Sequence, residues 1–263
     1  MRFTWAFALT LLLPWLLLAA PAHATGCSRP IQAPMAPTGR LVIVDAATEQ
    51  VEGVWPEFLR QVGAMVGCKF EFPVMPRPRL ENELISGKAL DLMISATRTD
   101  ARDEAGEFVL LFRQPMVILT RVDDAGRYSS IAALRKSSWR MVVPRAFAFN
   151  AEYRAFVADM QAEKRADSAN DLDGVGRMLR GGRVEFALLS PPQAYATAGS
   201  DLSFRRVEDL PLMEVGLYLS KRMLAPADLA LLREALSRAA REGAVRRAFL
   251  KYYPAALADL NQP

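Results

Sequence analysis

The chain reads as an α/β protein in which mostly parallel strands are joined by crossover helices. Short apolar runs of strand length alternate with segments whose apolar residues recur at helical spacing, glycines stand where those helices should end, and the pattern repeats in the middle of the chain. The 239 residues that follow the leader described below suit one large domain or two modest lobes, each able to bury a core.

Residues 41–44 (Leu-Val-Ile-Val) predict a short buried strand. Trp55, Phe58, Leu59, Val62, Met65 and Val66 share one face of a helix over 55–66, and Gly67 stands where a left-handed C-cap is favoured. Residues 69–74 alternate as a strand, 78–85 read as a helix stopped by Ser86-Gly87, and 91–94 form the next strand. In such a β-α-β-α-β run, ligands collect at the carboxyl ends of the strands. Further on, 108–112 and 116–120 are extended, 131–136 is a short helix, 140–143 a strand, 151–160 and 172–180 helices, and 186–189 a strand. Residues 213–219 are extended again. An amphipathic helix over 225–240 is opened by Pro226-Ala227-Asp228 and closed by Gly243, and a last helix reaches Tyr253-Pro254.

Residues 1–24 have the form of a secretory signal: Arg2 supplies the positive start, Phe3 to Leu18 an apolar run, and Ala22-His23-Ala24 a small-x-small cleavage site. Pro14 and Pro21, with no basic stop after them, argue against a membrane anchor. Cleavage would discard His23, the only histidine, and with it any Ser-His-Asp or Cys-His arrangement and any His-ligated metal. What remains must work by binding, or through carboxylates, lysine or tyrosine. Cys27 and Cys68 are the only cysteines, and in an exported protein they are expected to pair, closing a loop of 41 residues. The competing reading is a lipid anchor at Cys27, since Ala24-Thr25-Gly26-Cys27 faintly resembles a lipobox. Both place the protein in a bacterial periplasm. Without Arg2 there are 32 basic and 29 acidic residues, a net of +3, and the arginines are scattered rather than clustered, which excludes a nucleic-acid surface. No Gly-rich nucleotide loop, C-x-x-C or H-E-x-x-H motif is present, so neither cofactor nor metal is expected. The expected state is a monomer.

Four segments, in order, carry a family likeness: 53–59 (Gly-Val-Trp-Pro-Glu-Phe-Leu), 87–102 (Gly-Lys-Ala-Leu-Asp-Leu-Met-Ile-Ser-Ala-Thr-Arg-Thr-Asp-Ala-Arg), 182–189 (Gly-Arg-Val-Glu-Phe-Ala-Leu-Leu), and 217–221 with the helices to Pro254. Over roughly residues 40–254 the chain resembles bacterial extracellular solute-binding proteins of the amino-acid-binding type, the periplasmic partners of ABC importers. The resemblance implies a two-lobed periplasmic-binding-protein-like α/β fold with two crossover strands and an inter-lobe cleft. Residues 25–118 and 211–263 would form lobe one and 119–210 lobe two. It also implies hinge closure on a small anionic or zwitterionic solute, with the closed form recognised by an importer permease or receptor.

By the same resemblance Arg102 grips a ligand carboxylate, a task that suits the planar, permanently charged guanidinium. Thr97 matches the family's hydroxyl contact, and Ser95 lines the same turn. Departures are equally visible. Arg98 fills a usually apolar slot, Ser190 stands where an aspartate would hold an ammonium, and Pro144-Arg145-Ala146-Phe147 replaces a Gly-Thr cradle. These count against a standard α-amino acid and put a carboxylate or other anionic organic solute facing Arg102, Arg145 and Arg79 at least level with it, so the expected ligand is an amino acid or a related organic acid. Asp45, directly after a strand, is a ligand candidate or a plain turn residue, and Trp55 a stacking platform or core. An enzyme on the same fold, of the dehydratase kind, would need Glu57 or Glu185 as a general acid with a raised pKa. A sensory module for a membrane receptor would share the physics of closure.

Overall fold

The computed structural model describes residues 26–145 and 149–262; the expected leader and Phe147 lie outside the described residues. The first part of the chain forms β1 (Ile31–Gln32), β2 (Ile43–Val44), β3 (Val51–Glu52), α1 (Val54–Val66), β4 (Phe70–Glu71), α2 (Arg77–Ser86), β5 (Leu92–Ala96), α3 (Asp100–Ala105) and β6 (Gly106–Gln114). The middle forms β7 (Val117–Arg121), α4 (Ile131–Lys136), β8 (Met141–Pro144), α5 (Ala151–Ala162), β9 (Ala166–Ala169), α6 (Leu172–Arg180), β10 (Phe186–Leu189), α7 (Pro191–Ala198) and β11 (Leu202–Arg206). The chain then returns through β12 (Met213–Ser220), α8 (Pro226–Arg241), α9 (Ala244–Tyr252) and α10 (Ala255–Ala258).

The middle segment builds a five-stranded sheet in the order β11-β7-β10-β8-β9, with β8 parallel to both neighbours and β7 antiparallel to β10 and β11. Apolar clusters cover it on both faces: Ile118, Met141, Phe156 and Phe186 on one, Leu119, Val142, Val175 and Leu189 on the other. This follows from strands whose successive side chains are all apolar. The chain crosses between the two halves at residues 115–116 and 207–212, and the crossings lie side by side, the Val207 amide donating to the Met116 carbonyl over 2.9 Å.

The other half departs from the expected parallel run. β1 and β4 are parallel, but β5 and β6 are both antiparallel to β12, which lies between them. The predicted 41–44 strand shrinks to a two-residue ladder between β2 and β3, with Leu41 and Val42 buried as a turn. The reason is non-local: β12 supplies β5 with hydrogen-bond partners from far along the chain, and nothing within residues 41–94 announces it.

α1 forms as its apolar spacing requires, burying Val54, Trp55, Phe58, Leu59 and Val62 against α8 and α9. Gly67 ends it in the left-handed region with φ 72°. At its start Gly53 (φ 113°) lets the 40–41 backbone approach, where a Cβ would stand 2.7 Å from the Leu41 carbonyl oxygen. Trp55 thereby packs on Phe112 (ring centroids 6.0 Å, stacked) and edge-on to Phe249 (5.7 Å). Cys27 and Cys68 are disulfide-bonded, Cα atoms 4.9 Å apart, which takes up the Cys27 sulfur that a lipid thioether would require. Nearby, Arg29 makes a two-pronged pair with the fully buried Asp91 (2.6 and 2.7 Å), which also accepts from the Gln32 amide. The aspartate of the 87–102 motif is thus a structural clamp on the chain's start.

Candidate functional site

Between the two halves lies a cavity of about 650 Å³, walled by both, within the usual range of small-molecule sites. Its floor is one face of the β12–β6 pair, where Met213 stands opposite Gln114 and Val215 opposite Phe112. Ile94 of β5, Trp55 of α1 and Phe249 of α9 complete it. The facing wall comes from the second half: Arg145 after β8, Phe149, the turn into α6 with Asp171 and Asp173, and Ser190, Pro192 and Gln193 at the start of α7.

Of the residues singled out from the sequence, Arg102, Thr97, Ser95, Trp55, Arg145 and Ser190 line this cavity. Arg79 and Asp45 do not, which corrects two expectations. Arg79 lies on the exposed side of α2 and pairs with Glu83 one turn on; helical geometry sends it away from the cleft while Arg77 of the same helix lines it. The Asp45 carboxylate is exposed and closes its own turn, accepting from the Ala47 and Thr48 amides at 2.9 and 2.8 Å, which holds it below the usual carboxylate range.

Arg102 reaches the cavity wall with its fork already filled. It is buried, and its Nε and Nη2 donate to the two carboxylate oxygens of Glu81 over 2.7 and 2.8 Å, while Nη1 donates to the Thr97 carbonyl over 2.7 Å. A buried guanidinium needs a counter-charge, and α2 brings one from its own surface. The expected grip on an external carboxylate is therefore occupied by an internal one.

Arg77, which sequence reasoning passed over, stands beside this pair and donates from Nη1 and Nη2 to the carbonyls of Ile94 and Ser95, each over 3.1 Å. Burial, with the nearby Arg102, lowers its pKa to about 10, so it stays cationic at neutral pH. The carbonyl it grips belongs to a bulge: Ser95 adopts φ 59° and has no partner residue, since Ile94 pairs with Leu217 and Ala96 with Gly216. Arg145 is exposed and finds no side-chain partner among the described residues. Ser190 caps α7, its amide donating to Gln193 Oε1 over 3.2 Å. The Ser-Pro-Pro-Gln start of that helix carries both capping-box and proline-first signals, legible in the sequence though unused. Asp171 caps α6, accepting from the Gly174 amide over 2.6 Å.

Two buried polar atoms on the floor stand apart. Trp55 Nε1 and Gln114 Oε1 find no hydrogen-bond partner among the described residues, though both side chains line the cavity and are buried to 1 % and 5 % exposure. Neither Glu57 nor Glu185 lines the cavity. Glu57 is bonded to Lys251 and Gln61, which hold its pKa down, the opposite of what a general acid needs; Glu185 accepts from the Arg140 amide over 2.7 Å. Among the described residues no cluster suited to a metal ion occurs, and no helix is long and apolar enough to cross a membrane.

No protein-family profile matches the chain, and comparison with curated proteins finds no match. Solved structures do match. A putative L-cystine ABC transporter from Listeria monocytogenes shares 16 % identity over 87 % of this chain and 97 % of that one, with a TM-score of 0.66. A histidine kinase sensor domain with similarity to periplasmic binding proteins gives 16 %, 85 %, 96 % and 0.66. An ancestral amino-acid-binding protein, described as a precursor of cyclohexadienyl dehydratase, gives 16 %, 86 %, 95 % and 0.68. At this identity the likeness establishes the fold: the two-lobed α/β architecture of the periplasmic amino-acid-binding proteins.

Proposed function

We propose that the chain is an exported solute-binding protein whose lobes close on a small carboxylate-bearing organic solute and present it to an ABC-type importer in the membrane. The observation that carries this reading is the cavity between the halves, to which the first lends Arg77 and the second Arg145, each a guanidinium with no carboxylate partner among the described residues. A carboxylate placed there would gain one cation from each side, and that difference between open and closed forms is what drives hinge closure. Asp171 and Asp173 at the same mouth leave room for a zwitterion as well as an organic acid. The signal-like leader and the disulfide support a periplasmic address. The sensor-domain neighbour supports a receptor as the second reading of the partner, with the same ligand-binding step.

Thermal unfolding against a panel of amino acids and organic acids tests the reading. A ligand at one hundred times its Kd stabilises the native state by about 2.7 kcal/mol, a shift of a few degrees. The expected result is a carboxylate that raises Tm and is recovered unchanged after long incubation. Chemical conversion of the hit would replace the binder by an enzyme, and a panel with no active carboxylate would remove the proposed solute class.

A further inference from the structure

Resting on the reading just given, we propose that the cavity floor is a second recognition subsite, built for an uncharged hydrogen-bonding group on the apolar body of the solute. The cleft thus takes an organic acid with a flat apolar body and an amide or hydroxyl at the end far from its carboxylate.

Trp55 offers a donor and Gln114 an acceptor, both buried and both without a partner among the described residues. Both adjoin Phe112: Gln114 follows it by two residues on the same face of β6, and Trp55 stacks on it. Around them stand Met213, Val215, Phe112 and Phe249, none of which satisfies an N–H or a C=O. A buried polar atom left unpaired is costly, and two on one wall of a cavity mark a surface completed by something that binds there. Charge cannot be what the floor receives, because an ion lowered onto these apolar walls would lack a counter-charge. Arg102, buried at the cavity wall, has its fork closed by Glu81. Charge recognition is left to Arg77 and the exposed Arg145, and the floor reads a neutral group.

The test compares three probes by calorimetry: 3-phenylpropanoate, its para-hydroxy derivative and its para-carboxamide. The carboxamide supplies an acceptor for Trp55 Nε1 and a donor for Gln114 Oε1, and is expected to bind about tenfold more tightly than the parent, with the hydroxy compound between them. Trp55→Phe and Gln114→Leu should each bring that ratio towards one, whatever they do to the affinity of the parent acid. Gln114→Leu also removes an unsatisfied acceptor, so its ligand-free Tm should match or exceed that of the parent protein, which separates a lost subsite from a lost fold. Equal binding of the three probes, or a ratio untouched in both variants, would overturn the subsite while leaving the binder reading intact. So would a panel acid that binds when none of the three probes does. If neither panel nor probes bind, the reading beneath it fails too.

Discussion

Arg102 shows how far a single residue's chemistry can be read from sequence. Its type, and the resemblance of its surroundings, pointed to a cationic fork at the strand-to-helix turn, and the structure puts that fork at the cavity wall. Its partner was invisible: Glu81 lies 21 positions earlier on another helix, in a stretch that reads only as a short helix. The consequence is measurable. Replacing Glu81 by Gln leaves the buried guanidinium without its counter-charge and should lower stability by about 2 kcal/mol, less than the roughly 3 to 5 kcal/mol of a fully buried pair because Glu81 keeps 28 % exposure. Urea unfolding checks this, and a variant as stable as the parent would mean the pair contributes little. Thr97, Ser95, Trp55, Arg145 and Ser190 likewise stand around the cavity, whereas Arg79 and Asp45 face solvent, because a step of one or two residues along a helix or past a strand end redirects a side chain completely.

At the scale of elements, the helices were the most legible. α1, α4, α6 and α8 fall within a residue of their sequence-read bounds because apolar period and terminal signals are local properties. α3 and α7 were passed over, being short and polar or proline-led. The disulfide acts at this scale as well, tying the segment before β1 to the end of α1. Cys27→Ser should cost about 2 to 4 kcal/mol of unfolding free energy, since the bridge closes a loop of 41 residues in the unfolded chain. The expected sign is a lower urea midpoint at an unchanged ligand affinity, for the bridge lies outside the cavity.

Across the whole molecule, stability should fall in acid. Burial tends to raise the Asp103 pKa, but the hydrogen bond from Tyr218 (2.7 Å) and the Arg98 guanidinium outweigh it and hold the carboxyl below its ordinary value; the Lys251 contact does the same for Glu57. A carboxylate depressed by folding contributes stability that is fully present above its unfolded value, about 4, and is lost as pH falls through the lower folded value. The midpoint of unfolding should therefore be flat from neutral pH to about 5 and decline below 4, less steeply for Asp103→Asn; a profile identical in the variant would remove Asp103 from the account.

By itself the sequence determined what is local: the helices and their caps, the alternation that makes the chain α/β, and the two cysteines. Tertiary structure alone decided what depends on contact across the fold. It placed β12 between β5 and β6, set Glu81 on Arg102, and gathered Trp55 and Gln114 on one apolar floor. The physical reason is that capping and periodicity are fixed within a few residues of chain, whereas hydrogen-bond partners and counter-charges are chosen by proximity in space, which sequence separation does not encode.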